Sequence, residues 1–386
     1  MAFNLERIHR DYSKLLWDGI VPFWFEHGVD HEYGGVLSCM TEEGRRISTD
    51  KYMWSQWRWV WMLSRLYNRS GRPELLETAS AAVRFLLAHG RDGAGRWYFS
   101  ITREGRPLEG PTSIFADCFA IYGLSEYYRA RPDPEALQVA LATWRRVTAR
   151  VEEPDFAETA PEPHEPGRRM HSIPMILLEV SHELSITTGD AGIARAADEY
   201  ARRILEHHVR PELGVLLENL AWDYSPMPPP GGAIVDPGHA IESMWFVLHW
   251  ARERGNDAAI RRAAEVIRWH VEKGWDPEFG GLFLEIGARG GIGHRPNAAK
   301  KVWWPHTEAL YALLLTGQLT GERWCEEWFA KVEDWSFRHF SLSDGREWRQ
   351  RLDRAGNPVT DLIALPVKDP FHLPRAVSLM LDLVEI

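Results

Sequence analysis

The chain has 386 residues, of which 45% are hydrophobic and 26% are charged, and this composition provides for a sizeable core. Its net charge is -10 at pH 7 and it contains no concentrated block of Lys or Arg, so neither a nucleic acid nor an anionic membrane is an expected partner. Three widely spaced cysteines, no signal-peptide core and no bilayer-length apolar run predict free thiols and a cytoplasmic location.

Segments with apolar residues at three- and four-residue spacing follow one another in pairs along the chain. The predicted pairs are 5–28 with 370–386, 51–70 with 73–90, 111–130 with 133–151, 172–189 with 190–209, 239–255 with 257–274, and 300–321 with 322–340. In each pair one helix is apolar nearly all round and the other is charged on one face. The first kind is expected to form an inner ring and the second an outer ring.

Turns rich in Asp, Pro and Gly recur near positions 30, 92, 212, 276 and 344, and each precedes a short alternating run that predicts a small hairpin. A sixth turn is expected near position 152, where the Pro- and Glu-rich run 152–168 stands instead. Six such units predict an all-α fold, an (α/α)6 barrel with short β-hairpins in the connecting loops, formed by residues 1–386 as a single catalytic domain. An open helical solenoid is less favoured because the two ends of the chain complete one pair.

Polar residues at the starts of the inner helices are the candidate site residues, since inner helices should be polar only where they face a central cavity. They are Trp54, Gln56, Arg58, His239, Glu242, Lys301, Trp303, Trp304, His306, Glu308, His372 and Arg375, together with Glu218 and Asn219 from a loop. Each also has a structural interpretation: a hydrogen-bonded core histidine, a buried Arg58–Glu308 ion pair, or packing tryptophans. His182, His207 and His208 are assigned no role.

Taken together, these residues favour acid–base chemistry. Two histidines that titrate near neutral pH suit proton transfer, and an Arg and a Glu suit the binding of an oxyanion and a hydroxyl. The sequence has no metal-ligand spacing, no phosphate-binding Gly-rich loop and no dinucleotide fingerprint, so chemistry without a metal or redox cofactor is expected. The 19 tryptophans fit either core packing or stacking on sugars, and composition alone does not distinguish the two.

Five motifs in register resemble the N-acylglucosamine 2-epimerase family from near residue 10 to the C-terminus. They are DKYMWSQWRWVW, SIPMILLEV, DPGHAIESMWF, KVWWPHTEAL and DPFHLPRA. The resemblance implies an (α/α)6 barrel that acts on a reducing sugar, often as a dimer, with no required cofactor and with ATP as an allosteric activator. It implies that His239 and His372 transfer protons and that Arg58 and Glu308 contact the sugar. It places Trp54, Glu242 and Trp304 nearby.

The chain also departs from the family pattern at several positions. SIPMILLEV is closest to the N-acylglucosamine branch, because the mannose isomerase and cellobiose epimerase branches carry a histidine where this chain has Ile176. That branch has a cysteine where Pro370 stands, and an aromatic-Gly-Tyr-Leu pattern that the run 347–369 lacks. The run 152–168 differs from the family in the region linked to nucleotide activation.

The expected reaction is inversion of C2 of an N-acylglucosamine or N-acylmannosamine. One histidine removes the C2 proton, Arg58 holds the charge that develops on O1, and the second histidine protonates the opposite face. Three alternatives stay open from the sequence: an isomerase or epimerase of an unmodified sugar, a glycoside hydrolase that uses Glu242 and Glu308, and a non-catalytic binding module.

Overall fold

A computed structural model describes residues 3–158, 166–360, 362–364 and 368–385 of the protein. The inner helices are α3 (Met53–Ser70), α5 (Ile114–Ala130), α7 (Ser172–Thr188), α9 (Pro237–Arg254), α11 (Trp303–Thr320) and α13 (His372–Leu383). The outer layer contains α1 (Leu5–Lys14), a π-helical segment (Leu15–Ile20), α2 (Val21–His27), α4 (Pro73–His89), α6 (Pro134–Arg150), α8 (Ala191–Arg203), a second π-helical segment (Ile204–His208), α10 (Asp257–Gly274) and α12 (Arg323–His339).

The inner helices close into a ring. Each one contacts the next in chain order, and α13 contacts α3. Each also contacts its own outer helix, and for α13 that partner is α1 from the other end of the chain. The predicted (α/α)6 barrel and the predicted pairing of the two termini are therefore confirmed.

Local signals in the sequence set the ends of these helices. Four inner helices end at a glycine with a left-handed backbone, a conformation that side chains with a Cβ rarely adopt. These glycines are Gly71, Gly189, Gly255 and Gly321, with φ of 68°, 69°, 62° and 70°. The outer helices α6 and α8 begin at Asp133 and Asp190, whose carboxylates accept hydrogen bonds from free backbone N–H groups of the first turn.

Short strands form the rim at the start of the inner helices. They are β1 (Met40–Thr41), β2 (Lys51–Tyr52), β3 (Ser100–Ile101), β4 (Pro107–Glu109), β5 (Arg168–Met170), β6 (Val209–Arg210), β7 (Val215–Leu216), β8 (Asn219–Ala221), β9 (Ile234–Val235), β10 (Ile286–Gly287), β11 (Lys301–Val302), β12 (Arg351–Leu352) and β13 (Leu362–Ala364). All pairs are antiparallel: β2 with β3, β3 with β4, β5 with β8, β6 with β7, β9 with β10, β11 with β12, and β13 with β1. Pairs of strands from different repeat units, such as β13 with β1, link successive hairpins.

The five predicted turns all form hairpins. Backbone bridges join Val29 to Val36, Arg91 to Trp97, Trp275 to Leu282 and Ser341 to Trp348, and β6 and β7 form the fifth hairpin. Part of the run 152–168, residues 159–165, lies outside the described residues. None of the described helices combines the length and apolarity that a membrane span requires.

Two of these hairpins enclose a buried ion pair of the same design. Asp30 and Asp276 each accept hydrogen bonds from backbone N–H groups of their own turn, and both carboxylates are fully buried. Lys51 Nζ lies 2.9 Å from Asp30, and Lys301 Nζ lies 3.2 Å from Asp276. Because each lysine comes just before an inner helix, the ion pair attaches that helix to its hairpin. Lys301 is therefore structural and does not line the central cavity described below.

Most of the tryptophans pack within the protein. Trp24, Trp57, Trp61, Trp97, Trp245 and Trp348 are among the largest fully buried side chains. Helices α3 and α5 approach closely at Gly123, where a Cβ would lie 2.6 Å from the Trp57 carbonyl oxygen. Only glycine permits this contact. Trp54, Trp303 and Trp304, in contrast, line the central cavity described below.

We expect Asp276→Asn to lower the free energy of unfolding by about 3–5 kcal/mol, because it leaves the buried Lys301 ammonium without its counter-charge. The matched control is Asp92→Asn. Asp92 occupies a similar turn and binds its backbone in the same way, but its partner Arg96 is 56% exposed. Loss of that exposed pair should cost about 1 kcal/mol or less. Urea unfolding followed by circular dichroism compares the two, and equal losses would contradict the structural role of the buried pair.

Candidate active site

A cavity of about 750 Å³ lies inside the ring, at the starts of the inner helices. Its size is within the range of small-molecule sites. Four of the inner helices, α3, α7, α9 and α13, contribute acidic, basic or imidazole side chains to its wall: Arg58, Glu179, His239, Glu242, His372 and Arg375. Rim strands and hairpins form the outer part of the wall.

His239 projects from the first turn of α9 and is held by two carboxylates. Its Nδ1 lies 3.4 Å from Glu218 Oε1 and 3.8 Å from Asp236 Oδ2, and the side chain remains 32% exposed to the cavity. Asp236 is also the N-cap of α9 and accepts the His239 backbone N–H at 3.1 Å. Burial alone would lower the pKa of His239, but the charges of Asp236 and Glu218 raise it to about 10. His239 is therefore protonated at neutral pH.

His372 begins α13 and has the opposite charge preference. Its Nδ1 lies 2.8 Å from Glu308 Oε1, which leaves Nε2 for the cavity. Burial lowers the pKa of His372 well below 6.5, and the neighbouring guanidinium groups of Arg58 and Arg375 lower it further. His372 is therefore neutral at neutral pH, so the cavity contains one histidine ready to donate a proton and one ready to accept it.

The indole of Trp304 contacts both histidines. Its ring centroid lies 5.2 Å from that of His239 and 5.7 Å from that of His372, with interplanar angles of 35° and 37°. Gly238 makes this position available, because a Cβ at residue 238 would lie 2.5 Å from the Trp304 ring. The glycine in the motif DPGH thus allows an aromatic wall to reach both imidazoles.

Behind His372, one guanidinium joins carboxylates from two other helices. Arg375 Nη2 lies 2.9 Å from Glu308 Oε1, contacts Glu242 Oε1 and lies 3.3 Å from His372 Nδ1. Trp245 donates its indole N–H to Glu308 Oε2 at 2.8 Å. Glu242, Glu308 and His372 each offer one atom that could coordinate a metal ion, and these atoms lie within 4.8 Å of one another. Because Arg375 already supplies a positive charge among them, the donor set is a poor fit for a metal ion.

Arg58 on α3 faces the same cavity. Its Nη1 lies 3.5 Å from Asp369 Oδ2, and its guanidinium carbon lies 4.0 Å from the Phe119 ring centroid. A buried Arg58–Glu308 ion pair was the structural interpretation of these two residues. The structure instead pairs Arg58 with Asp369 and Glu308 with Arg375.

Ten of the fourteen predicted site residues line one cavity: His239, His372, Arg58, Glu242, Trp54, Trp303, Trp304, Glu218, Asn219 and Arg375. Besides Lys301, three others do not. Glu308 is 1% exposed and lies behind His372 with both carboxylate oxygens bonded, so it positions His372 and does not contact a ligand in the cavity.

Gln56 and His306 are the other two predicted site residues that do not face the cavity. Gln56 accepts the Val36 backbone N–H and donates to the Val36 carbonyl, at 2.9 and 2.7 Å. His306 accepts the Leu282 backbone N–H at 2.9 Å and stacks on Trp335. Both side chains are fully buried, and each ties the start of an inner helix to its hairpin.

Sequence analysis missed three residues that hold the site together. Asp236 carried a usable signal, because an aspartate directly before Pro-Gly-His is typical of a helix N-cap. The sequence offered no comparable signal for Asp369 or His171. Asp369 contacts Arg58 across 311 positions of sequence. His171 directly follows β5, and its Nδ1 lies 3.3 Å from Glu218 Oε1.

Known proteins resemble this chain over most of its length. The sequence model of the N-acylglucosamine 2-epimerase (GlcNAc 2-epimerase) family matches residues 34–376. The chain belongs to this family. It is 34% identical to N-acylglucosamine 2-epimerase of Bos taurus over 97% of this chain and 90% of the relative, and 32% identical to that of Homo sapiens over 94% and 87%. Among solved structures, cellobiose 2-epimerase from Bacillus thermoamylovorans B4167 superposes with a TM-score of 0.86 at 19% identity, over 98% of this chain and 99% of that one.

We expect Glu218→Gln to lower the pKa of His239 from about 10 toward 6.5, because the substitution removes one of the charges that stabilise the imidazolium. A histidine whose folded pKa exceeds its unfolded pKa stabilises the fold below pH 6.5, and that contribution is lost as pH rises through about 10. NMR titration of labelled histidine rings measures the shift. Glu206→Gln, on the outer surface, is the control and should leave the titration of His239 unchanged.

Proposed function

We propose that this protein inverts C2 of a reducing N-acylglucosamine or N-acylmannosamine. The observation that carries the proposal is that two histidines of opposite protonation state, protonated His239 and neutral His372, line the same cavity. Membership of the family and 34% identity to N-acylglucosamine 2-epimerase of Bos taurus support the choice of reaction and sugar.

The proposed chemistry uses the two protonation states directly. Neutral His372 removes the C2 proton of the open-chain sugar, and the electrons pass to O1 to give an enediolate-type intermediate. Arg58 and Arg375, both on the wall, stabilise the developing negative charge. Protonated His239 then delivers its proton to the other face of C2. One inversion leaves His372 protonated and His239 neutral, which is the state that acts on the other epimer. Proton exchange with water returns the pair to its starting state, so each histidine serves one epimer as base.

The contacts of the two glutamates argue against a glycoside hydrolase. Such an enzyme places two carboxyl groups on opposite sides of the scissile bond, about 5 Å or more apart. Here Glu242 and Glu308 meet on a single guanidinium, and Glu308 is buried behind His372. A non-catalytic binding module would not need two histidines poised with opposite charges. Aldose–ketose isomerisation by the same two histidines would give a different product. NMR distinguishes this product, a ketose, from a C2 epimer.

In D2O, we expect wild-type protein to introduce deuterium at C2 as it interconverts N-acetylmannosamine and N-acetylglucosamine. His239→Asn should abolish interconversion but retain exchange of the one epimer that His372 deprotonates. His372→Asn should retain exchange of the other epimer only, and this exchange should be faster at higher pH, because His239 must lose its own proton before it can act as a base. This split is expected because each base reaches one face of C2.

Proton NMR of each sugar supplied separately measures both exchange and epimerisation. His207→Asn is the control, since His207 lies outside the cavity and should keep full activity. Interconversion that survives in either active-site variant would end the two-base mechanism. Circular dichroism confirms that the variants are folded.

Glu308→Gln should lower kcat by about 10²–10⁴-fold with little change in KM, because the amide no longer fixes the His372 tautomer that leaves Nε2 free to act as a base. Trp245→Phe removes the hydrogen bond to the other Glu308 oxygen and keeps the contact with His372. The Phe variant should therefore lose far less activity than the Gln variant. A rise in KM with unchanged kcat in Glu308→Gln would instead favour direct contact with the sugar.

Several further properties stay predictions. The sequence predicts a cytoplasmic location, and no cofactor is expected to be required. The family resemblance implies a homodimer and ATP as an activator, but the run 152–168 differs from the family in the region linked to nucleotide activation. Sedimentation velocity gives the oligomeric state, and initial rates with and without ATP test the activation.

A further inference from the structure

The rim ribbon of β11 and β12 presents two cations to the cavity. Strand residues alternate between faces, and Lys301 points away from the cavity to Asp276. Its neighbours Lys300 and Val302 therefore face the opposite way, and both line the cavity. Val302 pairs with Arg351, which lines the cavity as well. Lys300 directly precedes β11 and Arg351 begins β12, so the two cations lie on neighbouring parts of the cavity wall.

Neither cation is neutralised within the described part of the chain. Lys300 and Arg351 are both half-buried, and neither side chain has an ion pair or hydrogen bond with a described residue. The nearby Arg295, by contrast, is paired with the buried Glu285. Across the cavity, Glu218 and Asp236 face protonated His239. Half-buried charge without a partner is costly, and the cost is recovered when an anion binds.

The ribbon is also the place where this chain departs from its family. Arg349, Gln350 and Arg351 precede Leu352 in the run that lacks the aromatic-Gly-Tyr-Leu pattern of the N-acylglucosamine branch. Arg349 pairs with Glu42 and is absent from the cavity wall. Arg354, the third arginine of the run, pairs with Asp276. Arg351 is therefore the arginine of this run that changes the chemistry of the cavity.

We propose that Lys300 and Arg351 form an anion subsite that binds a phosphate or carboxylate carried by the sugar, at the end away from the reacting carbon. The subsite lies directly before α11, whose second residue is Trp304. A sugar with C2 beside Trp304 thus has its far end within reach of the ribbon. The inference rests on the proposed function and narrows its substrate to an acidic derivative of the N-acylated sugar.

Isothermal titration calorimetry at fixed ionic strength tests the subsite. The ligands are N-acetylmannosamine, its 6-phosphate, the corresponding 6-carboxylate (uronic acid) and inorganic phosphate. Wild-type protein should bind at least one acidic sugar about tenfold or more tightly than the neutral sugar, as expected for charge-assisted hydrogen bonds. The variant Lys300→Gln/Arg351→Gln should lose this preference. Arg349→Gln should retain it, because Arg349 pairs with Glu42 and does not line the cavity.

The sugar that gains affinity identifies the anion as phosphate or carboxylate. Equal or weaker binding of both acidic sugars by wild-type protein overturns the proposal, as does a preference that persists in the double variant. Inorganic phosphate that binds together with the neutral sugar, with no gain for either acidic sugar, also overturns it. Deuterium exchange at C2 separates the two proposals. Exchange of the neutral sugar without an acidic preference sinks only the subsite, whereas no exchange of any sugar sinks the proposed function.

Discussion

The salt bridges that Arg375 makes to Glu242 and Glu308 are the interaction on which the site depends. They bring α13, α9 and α11 together at one buried point. The helix that carries Arg375 also contacts α3, so α13 is the helix that closes the ring. Removing one partner of a buried charge network leaves the other uncompensated, so the three helices are constrained to one arrangement.

This network also explains how two identical side chains acquire different chemistry. His372 lies on the side of the cavity that holds the guanidinium groups of Arg375 and Arg58, which disfavour a second positive charge. His239 lies against Glu218 and Asp236, which favour it. Trp304 fills the space beside both rings without adding charge. The asymmetry thus arises from the surroundings of the imidazoles, as expected for groups that act as acid and base on one carbon.

Much of the architecture could be predicted because local sequence patterns determine it. These patterns are the helix periodicity, the Asp- and Gly-rich turns, and the glycines that end the inner helices. Those signals predicted all six pairs and the five hairpins. They also predicted most of the cavity wall, since the start of an inner helix faces inward. What they could not predict was the depth of each side chain. Gln56 and His306 begin inner helices too, but they face backbone groups of a hairpin. Glu308 lies one layer behind the wall, and Asp369 is brought to Arg58 only by tertiary packing.

The hairpins of Asp30 and Asp276 are related in more than their ion pairs. Lys51 and Lys301 are followed at matching distances by Trp54 and Trp304, by Gln56 and His306, and by Arg58 and Glu308. The lysine pair and the Gln56–His306 pair preserve how a helix is anchored. The Arg58–Glu308 pair, in contrast, replaces a cation by an anion. Attachment and chemistry are therefore encoded at separate positions of the same turn. A barrel built this way can acquire a new reaction by exchanging single residues on its inner wall, while the scaffold that aims them is inherited unchanged.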